Sequence, residues 1–427
     1  MEQQIISDLI NIINEEIEIA QGCTEPIAGA YTASVATRIL NMDVERIEVV
    51  ASTNIIKNAK GVVIPGTKDL MGIEASVILG MLVGDASLKM EVLSNIDEAA
   101  ITKTKELLDL GIVSLKAATS PAKLLMSVRM INGEEYAEAT IMHMHTNIVK
   151  IEKNGIILKN DPCDERDFNA ALTSKEHLTL ENIHEFASTV DLTLLPILQK
   201  QIEFNSAISN EGLTNKWGAM VGKINKKQTL CEGLTFDIRR HSCAAAAAGS
   251  DARMSGCSLP VVTVNGSGNQ GMTIAIPIIE FAKEHENTEE ELYRAVLFGD
   301  LISIRLKQSV GRLSPLCGVT YAAIGSVAGI LYLQGYELSI VEMMIKNSIA
   351  NNTGIICDGA KASCALKIYS GLDTALLSAQ LAMNGSVIPD GTGIIQTDIE
   401  QTINDLKLIS DAMTMVDSAV MKILSPE

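Results

Sequence analysis

Three cysteines, Cys317, Cys357 and Cys364, stand 40 and 7 residues apart in segments rich in glycine and alanine. Cysteine thiolates are ligands for soft metals and for iron-sulfur clusters. Three are too few for a closed structural zinc site without a histidine, and none of the six histidines lies close by in sequence. Three do suffice to hold a 4Fe-4S cluster with one iron left open, and that open position would act as a Lewis acid. A spacing of seven sets Cys357 and Cys364 on one face if their segment is helical. Three buried structural thiols account for the same spacing equally well, because no Cys-x2-Cys signature accompanies them.

Three other stretches carry chemistry. In "VNGSGNQGMTIAIP", Gly266, Gly268 and Gly271 alternate with Ser267, Asn269 and Gln270 ahead of a helical run. Backbone N–H groups could converge there on one anion, such as a carboxylate, which makes Ser267, Gly268, Asn269, Gln270 and Gly271 a candidate substrate loop. An ordinary interhelical turn is the alternative. In "GCTEP", Cys23 precedes a helix start with Glu25 and Pro26 in its first turn. The helix dipole would favour its thiolate, so Cys23 is a candidate base, nucleophile or metal ligand, or else a buried small residue. In "SDARMSG", Arg253 could clamp a carboxylate or pair with Asp251. His143 and His145 alternate along an expected strand and could chelate a metal, although exposed strand histidines are the simpler expectation.

The elements that must position these residues form an α+β protein. At 427 residues the chain exceeds the usual size of a single core. Strand-like runs such as "VERIEVVAST" and "LLMSVRMI", with Asn-Gly pairs at 132–133 and 154–155, predict a meander of hairpins. The expected organisation is a mainly helical catalytic domain, residues 1–44 and 161–427, with an inserted α/β sandwich module at residues 45–160. The uncharged run 317–333, with Gly325 and Gly329 in GxxxG spacing, is slightly short for a membrane span and is expected to be a buried helix.

Composition narrows the partners. With 34 basic against 52 acidic side chains, a net charge of −18 and 3% aromatics, the chain is ill suited to nucleic acid. Its first residues lack the basic start and apolar stretch of a signal peptide, and eight cysteines in this setting do not suggest a disulfide scaffold, so the expected compartment is the cytoplasm, with no membrane partner. GxxxG packing on helix-rich surfaces would be consistent with a homodimer.

Taken together, "GCTEPIA", "SDARMSG", "NGSGNQG", "LSPLCG" and "NNTGIICDGAKASCALK" resemble the iron-sulfur L-cysteine desulfidases, which are related to the α chain of bacterial iron-sulfur L-serine dehydratases. The resemblance runs nearly end to end. It implies that Cys317, Cys357 and Cys364 hold a 4Fe-4S cluster, that the loop 267–271 receives an amino-acid carboxylate, and that Cys23 is either a ligand or an acid-base group. The implied reaction is α,β-elimination from a small L-amino acid, L-cysteine giving pyruvate, ammonia and sulfide, with L-serine dehydration as the alternative. Two other readings stand beside it. A pyridoxal phosphate enzyme would need Lys361 as its Schiff-base lysine. A noncatalytic amino-acid-binding protein would leave its cysteines as core residues.

Overall fold

The computed structural model describes residues 1–161, 163–167, 172–231 and 237–424. Two hydrophobic cores organise them, one helical and one built on a six-stranded sheet. This is the α+β architecture expected from the strand and helix patterns.

In the sheet, Val113–Ala117 lies parallel to Arg46–Ala51, and Leu125–Asn132, Glu135–Met142, Ile148–Lys153 and Ile156–Asn160 follow in antiparallel order. Period-2 alternation turns Ile47 and Val49, Met126 and Val128, and Ala137 and Ala139 toward one buried face. The Asn-Gly signals end up in hairpin turns. Asn154 and Gly155 both take positive φ, 51° and 81°, as a two-residue primed turn requires.

The helix Thr24–Leu40, expected with the helical domain, packs on this sheet instead. Ile27, Ala28, Ala30, Ala33, Ala36 and Leu40 all join the sheet core, where their small side chains let the helix lie close to both the strands and the helix Gly72–Val83. The sheet unit therefore takes in a helix that precedes residue 45. Cys23, at the start of that helix, stands on the seam between the units.

The helical core gathers Gln3–Glu16, Ile238–Met254, Gly268–Glu284, Glu289–Gln308, Gly318–Leu333, Leu338–Asn352 and Cys364–Met383. A two-stranded ribbon, Ile17–Gln21 against Pro260–Val264, runs through it, and its two strands lead into Cys23 and into the 265–271 loop. The apolar run expected to be buried forms Gly318–Leu333, with 13 buried residues. Among the described residues no helix is long and apolar enough to cross a membrane. Gly325 and Gly329 are spent inside the chain: a Cβ at 325 would lie 2.5 Å from the Gly299 carbonyl oxygen, and one at 329 would lie 2.7 Å from that of Ala295. These notches seat the helix against Glu289–Gln308, so the GxxxG spacing carries no argument for a dimer.

Candidate active site

The helices converge on the site with their N-termini. Cys23 caps Thr24–Leu40, Ser267 caps Gly268–Glu284, Cys317 caps Gly318–Leu333, and Cys364 opens Cys364–Met383. The first amides of a helix have no intrahelical acceptor and carry the positive end of its dipole, so four such ends favour anions in one place. They border a single recess. Lys57, Arg253, Lys307 and Arg312 also line it.

Cys317 and Cys357 are brought together by strand-like pairing. The Cys317 N–H donates to the Ile355 carbonyl at 2.9 Å and the Cys357 N–H donates to the Pro315 carbonyl at 2.7 Å, on either side of a Leu316–Ile356 bridge. Cys364 follows after a loop. The helical spacing expected for Cys357 and Cys364 does not hold, because the helix begins only at Cys364 and Cys357 lies in extended chain. All three thiols nevertheless line the same recess. Burial, with the neighbouring Cys357 and Cys364, pushes the Cys317 thiol up to about 12. Burial also raises Cys364, to which Cys357 adds. Thiols that oppose one another's ionisation are donors that a cationic cluster would stabilise as thiolates. Among the described residues no group of three His, Cys, Asp or Glu side chains is gathered as around a single metal ion. A cluster binds each cysteine through a different iron, so its donors stand further apart than those of a single ion, and the three thiols suit that larger group in donor chemistry and all line one recess.

Cys23 and Glu25 form a buried pair. The Cys23 Sγ donates to Glu25 Oε2 at 3.1 Å, as does the Thr24 hydroxyl, and Asn58 Nδ2 donates to Glu25 Oε1 at 2.8 Å. Burial opposes the Glu25 charge, but the field of His145 and the hydrogen bonds from Cys23 and Asn58 outweigh it and hold the carboxyl below its ordinary value. Burial and then the Glu25 charge raise the Cys23 thiol well above its own. The dipole-favoured thiolate expected at this helix start therefore gives way to a protonated thiol donating to a carboxylate.

The 265–271 segment is a helix N-terminus rather than a free-standing glycine nest, since Gly268 is already helical. Asn269 and Gln270 are 5% and 3% exposed and face the recess. Gln270 reaches across to the cysteine side: a side chain at Gly318 would meet its amide at 2.6 Å. Arg253 does not pair with Asp251. It donates to Asn269 Oδ1 at 3.2 Å and to the Gly22 carbonyl at 2.8 Å, tying the 265–271 segment to the turn that carries Cys23. Asp251 instead accepts from the Gly222 N–H at 3.1 Å, and burial pushes it up to about 6. Lys361 is engaged by Asp358 at 2.6 Å, away from the recess lining.

His143 and His145 are neither exposed nor joined as chelators. They lie 3% and 1% exposed in the turn after Glu135–Met142, where His143 takes φ 65° and its Nε2 meets the Asp164 carbonyl at 2.7 Å. His145 is driven into the site wall. A Cβ at Gly266, whose φ is +70°, would lie 3.1 Å from His145 Nδ1 and 2.9 Å from an Arg312 nitrogen, so only glycine fits there. Neither ring nitrogen of His145 has a hydrogen-bond partner among the described residues. Burial brings its pKa down to about 4. Lys57, Asn58, Lys307 and Arg312 were not among the candidates that motif and spacing picked out, and His145 was picked out only as a strand histidine that could chelate a metal with His143. Lys307 is pushed down to about 8 by burial, against the charges of Cys357 and Cys317, and donates to the Ser314 hydroxyl at 3.0 Å.

The serine dehydratase alpha chain family matches residues 87–422, a span that holds Cys317, Cys357, Cys364 and the 265–271 segment and begins after Cys23. A UPF0597 protein of Fusobacterium nucleatum is 40% identical over 98% of this chain and 99% of its own. Those of Lachnoclostridium phytofermentans and Treponema denticola are 40% and 38% identical over 97% of this chain, covering 99% and 97% of their own.

Proposed function

Because the chain belongs to the serine dehydratase alpha chain family, a family of iron-sulfur lyases, we propose that it eliminates the β-substituent of a small L-amino acid, and that L-cysteine is its substrate, giving pyruvate, ammonia and hydrogen sulfide. One observation carries the reading: three cysteine thiols, the Cys23–Glu25 pair and the helix start bearing Asn269 and Gln270 border a single recess.

Cys317, Cys357 and Cys364 would hold the 4Fe-4S cluster, which supplies an open iron position as Lewis acid for the leaving group. The amides at the start of Gly268–Glu284, with Asn269 and Gln270, fix the carboxylate, and Lys307 and Arg312 add positive charge beside it. Glu25 draws the proton from the Cys23 thiol as that sulfur takes the Cα proton, so the pair carries one extra proton while the Cα–H and Cβ–S bonds break. That proton returns to the departing sulfide. The aminoacrylate left behind tautomerises to an imine and takes up water to give pyruvate and ammonia, steps that need no residue.

Sulfur as leaving group, in preference to hydroxyl, is supported by the surroundings of Cys23, which packs with Val62 and Met254 in an apolar cluster touching Ala360 and Cys364. A hydroxyl leaving into such a wall would lose its hydrogen bonds. Comparing kcat/KM for L-cysteine and L-serine on anaerobically loaded protein tests this. We expect a preference for L-cysteine of at least about tenfold. A preference for L-serine would reassign the substrate, and amino-acid binding with no turnover of either would reassign the protein as a binding protein.

A further inference from the structure

The segment carrying Cys357 is gripped by two elements outside every motif considered above. The helix Thr53–Ala59 of the sheet unit presents Lys57, whose side chain is 1% exposed. Its Nζ donates to the Cys357 carbonyl at 3.2 Å and pairs with Asp417 at 2.6 Å. Two residues beyond Cys357, Gly359 takes φ +99° with its Cα against this same helix; a Cβ there would lie 2.6 Å from the Lys57 carbonyl oxygen. A Cβ at Gly61 would lie 3.7 Å from the Ala360 carbonyl oxygen and 3.9 Å from Lys361 Cβ. The loop from Cys357 to Cys364 is thus laid along the backbone of residues 57–61.

Asp417 comes from the C-terminal helix Thr414–Leu424, which packs on Thr53–Ala59 and receives Lys60 Nζ on its Leu424 carbonyl. The preceding helix, Ile399–Ala412, is rooted in the helical core through Ile399, Ile403 and Leu406. The chain therefore leaves the helical unit and packs on the sheet unit's helix, which also contacts the cysteine loop.

We propose that Lys57 is a positioning residue for Cys357 and that the C-terminal helix is the strap that keeps it in place through Asp417. A lysine ammonium has three donors, and the two acceptors found here are the carboxylate and the Cys357 carbonyl. Without the carboxylate the buried ammonium is left with one carbonyl, and its flexible stem lets it move toward water, releasing the loop. The consequence for cluster retention rests on the function proposed above; the contact itself does not.

The test is the rate at which iodoacetamide alkylates each cysteine of the reduced, cluster-free, full-length protein, read by mass spectrometry in wild type, Asp417→Asn and Asp417→Glu. Cys357 should react roughly tenfold faster in Asp417→Asn and within about twofold of wild type in Asp417→Glu, while Cys243, buried at 1% exposure, stays slow in both. An unchanged Cys357 rate in Asp417→Asn overturns the proposal. So does an acceleration shared by Cys243, which marks general loosening. After anaerobic loading, Asp417→Asn should also lose iron faster than wild type in air. Wild-type protein that takes up no iron overturns the proposed function and leaves the alkylation rates, which need no cluster, to decide the strap.

Discussion

The Cys23 thiol donates to the Glu25 carboxylate at 3.1 Å across the first turn of one buried helix. Neither group is poised alone: the carboxylate is ionised and the thiol protonated, and one proton shared between them joins a strong acceptor to a polarisable sulfur at the recess. Replacing either should therefore damage chemistry more than binding. Cys23→Ala and Glu25→Gln are each expected to lower kcat by about 10²–10⁴-fold, with KM changed only modestly. Iron content decides the role of Cys23. It should be unchanged in Cys23→Ala if the thiol is an acid-base group, and loss of iron would make it a ligand.

His145 gives a pH signature to stability. Its folded pKa, about 4, lies below the ordinary 6.5, so the unfolded chain binds more protons between those values. Stability contributed by keeping the ring neutral is complete above about pH 6.5 and falls as the pH drops through 4, by roughly 3 kcal/mol in all. Glu25 is shifted downward as well, so its contribution is likewise lost as the pH falls, but over a more acid range, below its ordinary 4.5. Urea unfolding of His145→Gln across pH 7 to 4.5 should show a shallower loss than wild type. Parallel curves would contradict the burial-driven shift.

Gly325 tests the close seat of the Gly318–Leu333 helix. A side chain there must push into the Gly299 carbonyl oxygen and Ser303 Cβ, at 2.5 and 2.9 Å from the Cβ position. Overpacking of this kind costs about 1–3 kcal/mol and rises with size. Gly325→Val should thus lower the thermal midpoint by several degrees, and more than Gly325→Ala. Equal midpoints for all three proteins would mean that the helices can part freely.

Much of this site is legible as short motifs because its groups sit at helix starts, where composition is locally constrained: Cys23 with Glu25, Ser267 with Asn269 and Gln270, and Cys317 before a glycine. The hairpins announced themselves through Asn-Gly and alternation. Lys57, Asn58 and His145 carry no such signal, because their roles come from the packing of the sheet unit on the helical one. Alternation alone could not tell that His145 follows a tight turn and faces inward. The same blindness explains the Thr24–Leu40 helix, whose alanines would suit either core. Spacing of seven suggested a helical pairing for Cys357 and Cys364. The structure reaches a common recess by a different route, a bridge to residues 315–317 followed by a loop.

Iron and acid-labile sulfide, measured on protein purified and reconstituted without oxygen, test the central claim most directly. Wild type should contain about four of each per chain, and Cys357→Ala should lose both, together with turnover. A Cys357→Ala protein that keeps its iron, or a wild type that takes up neither iron nor sulfide, would contradict the assignment of Cys317, Cys357 and Cys364 as cluster ligands.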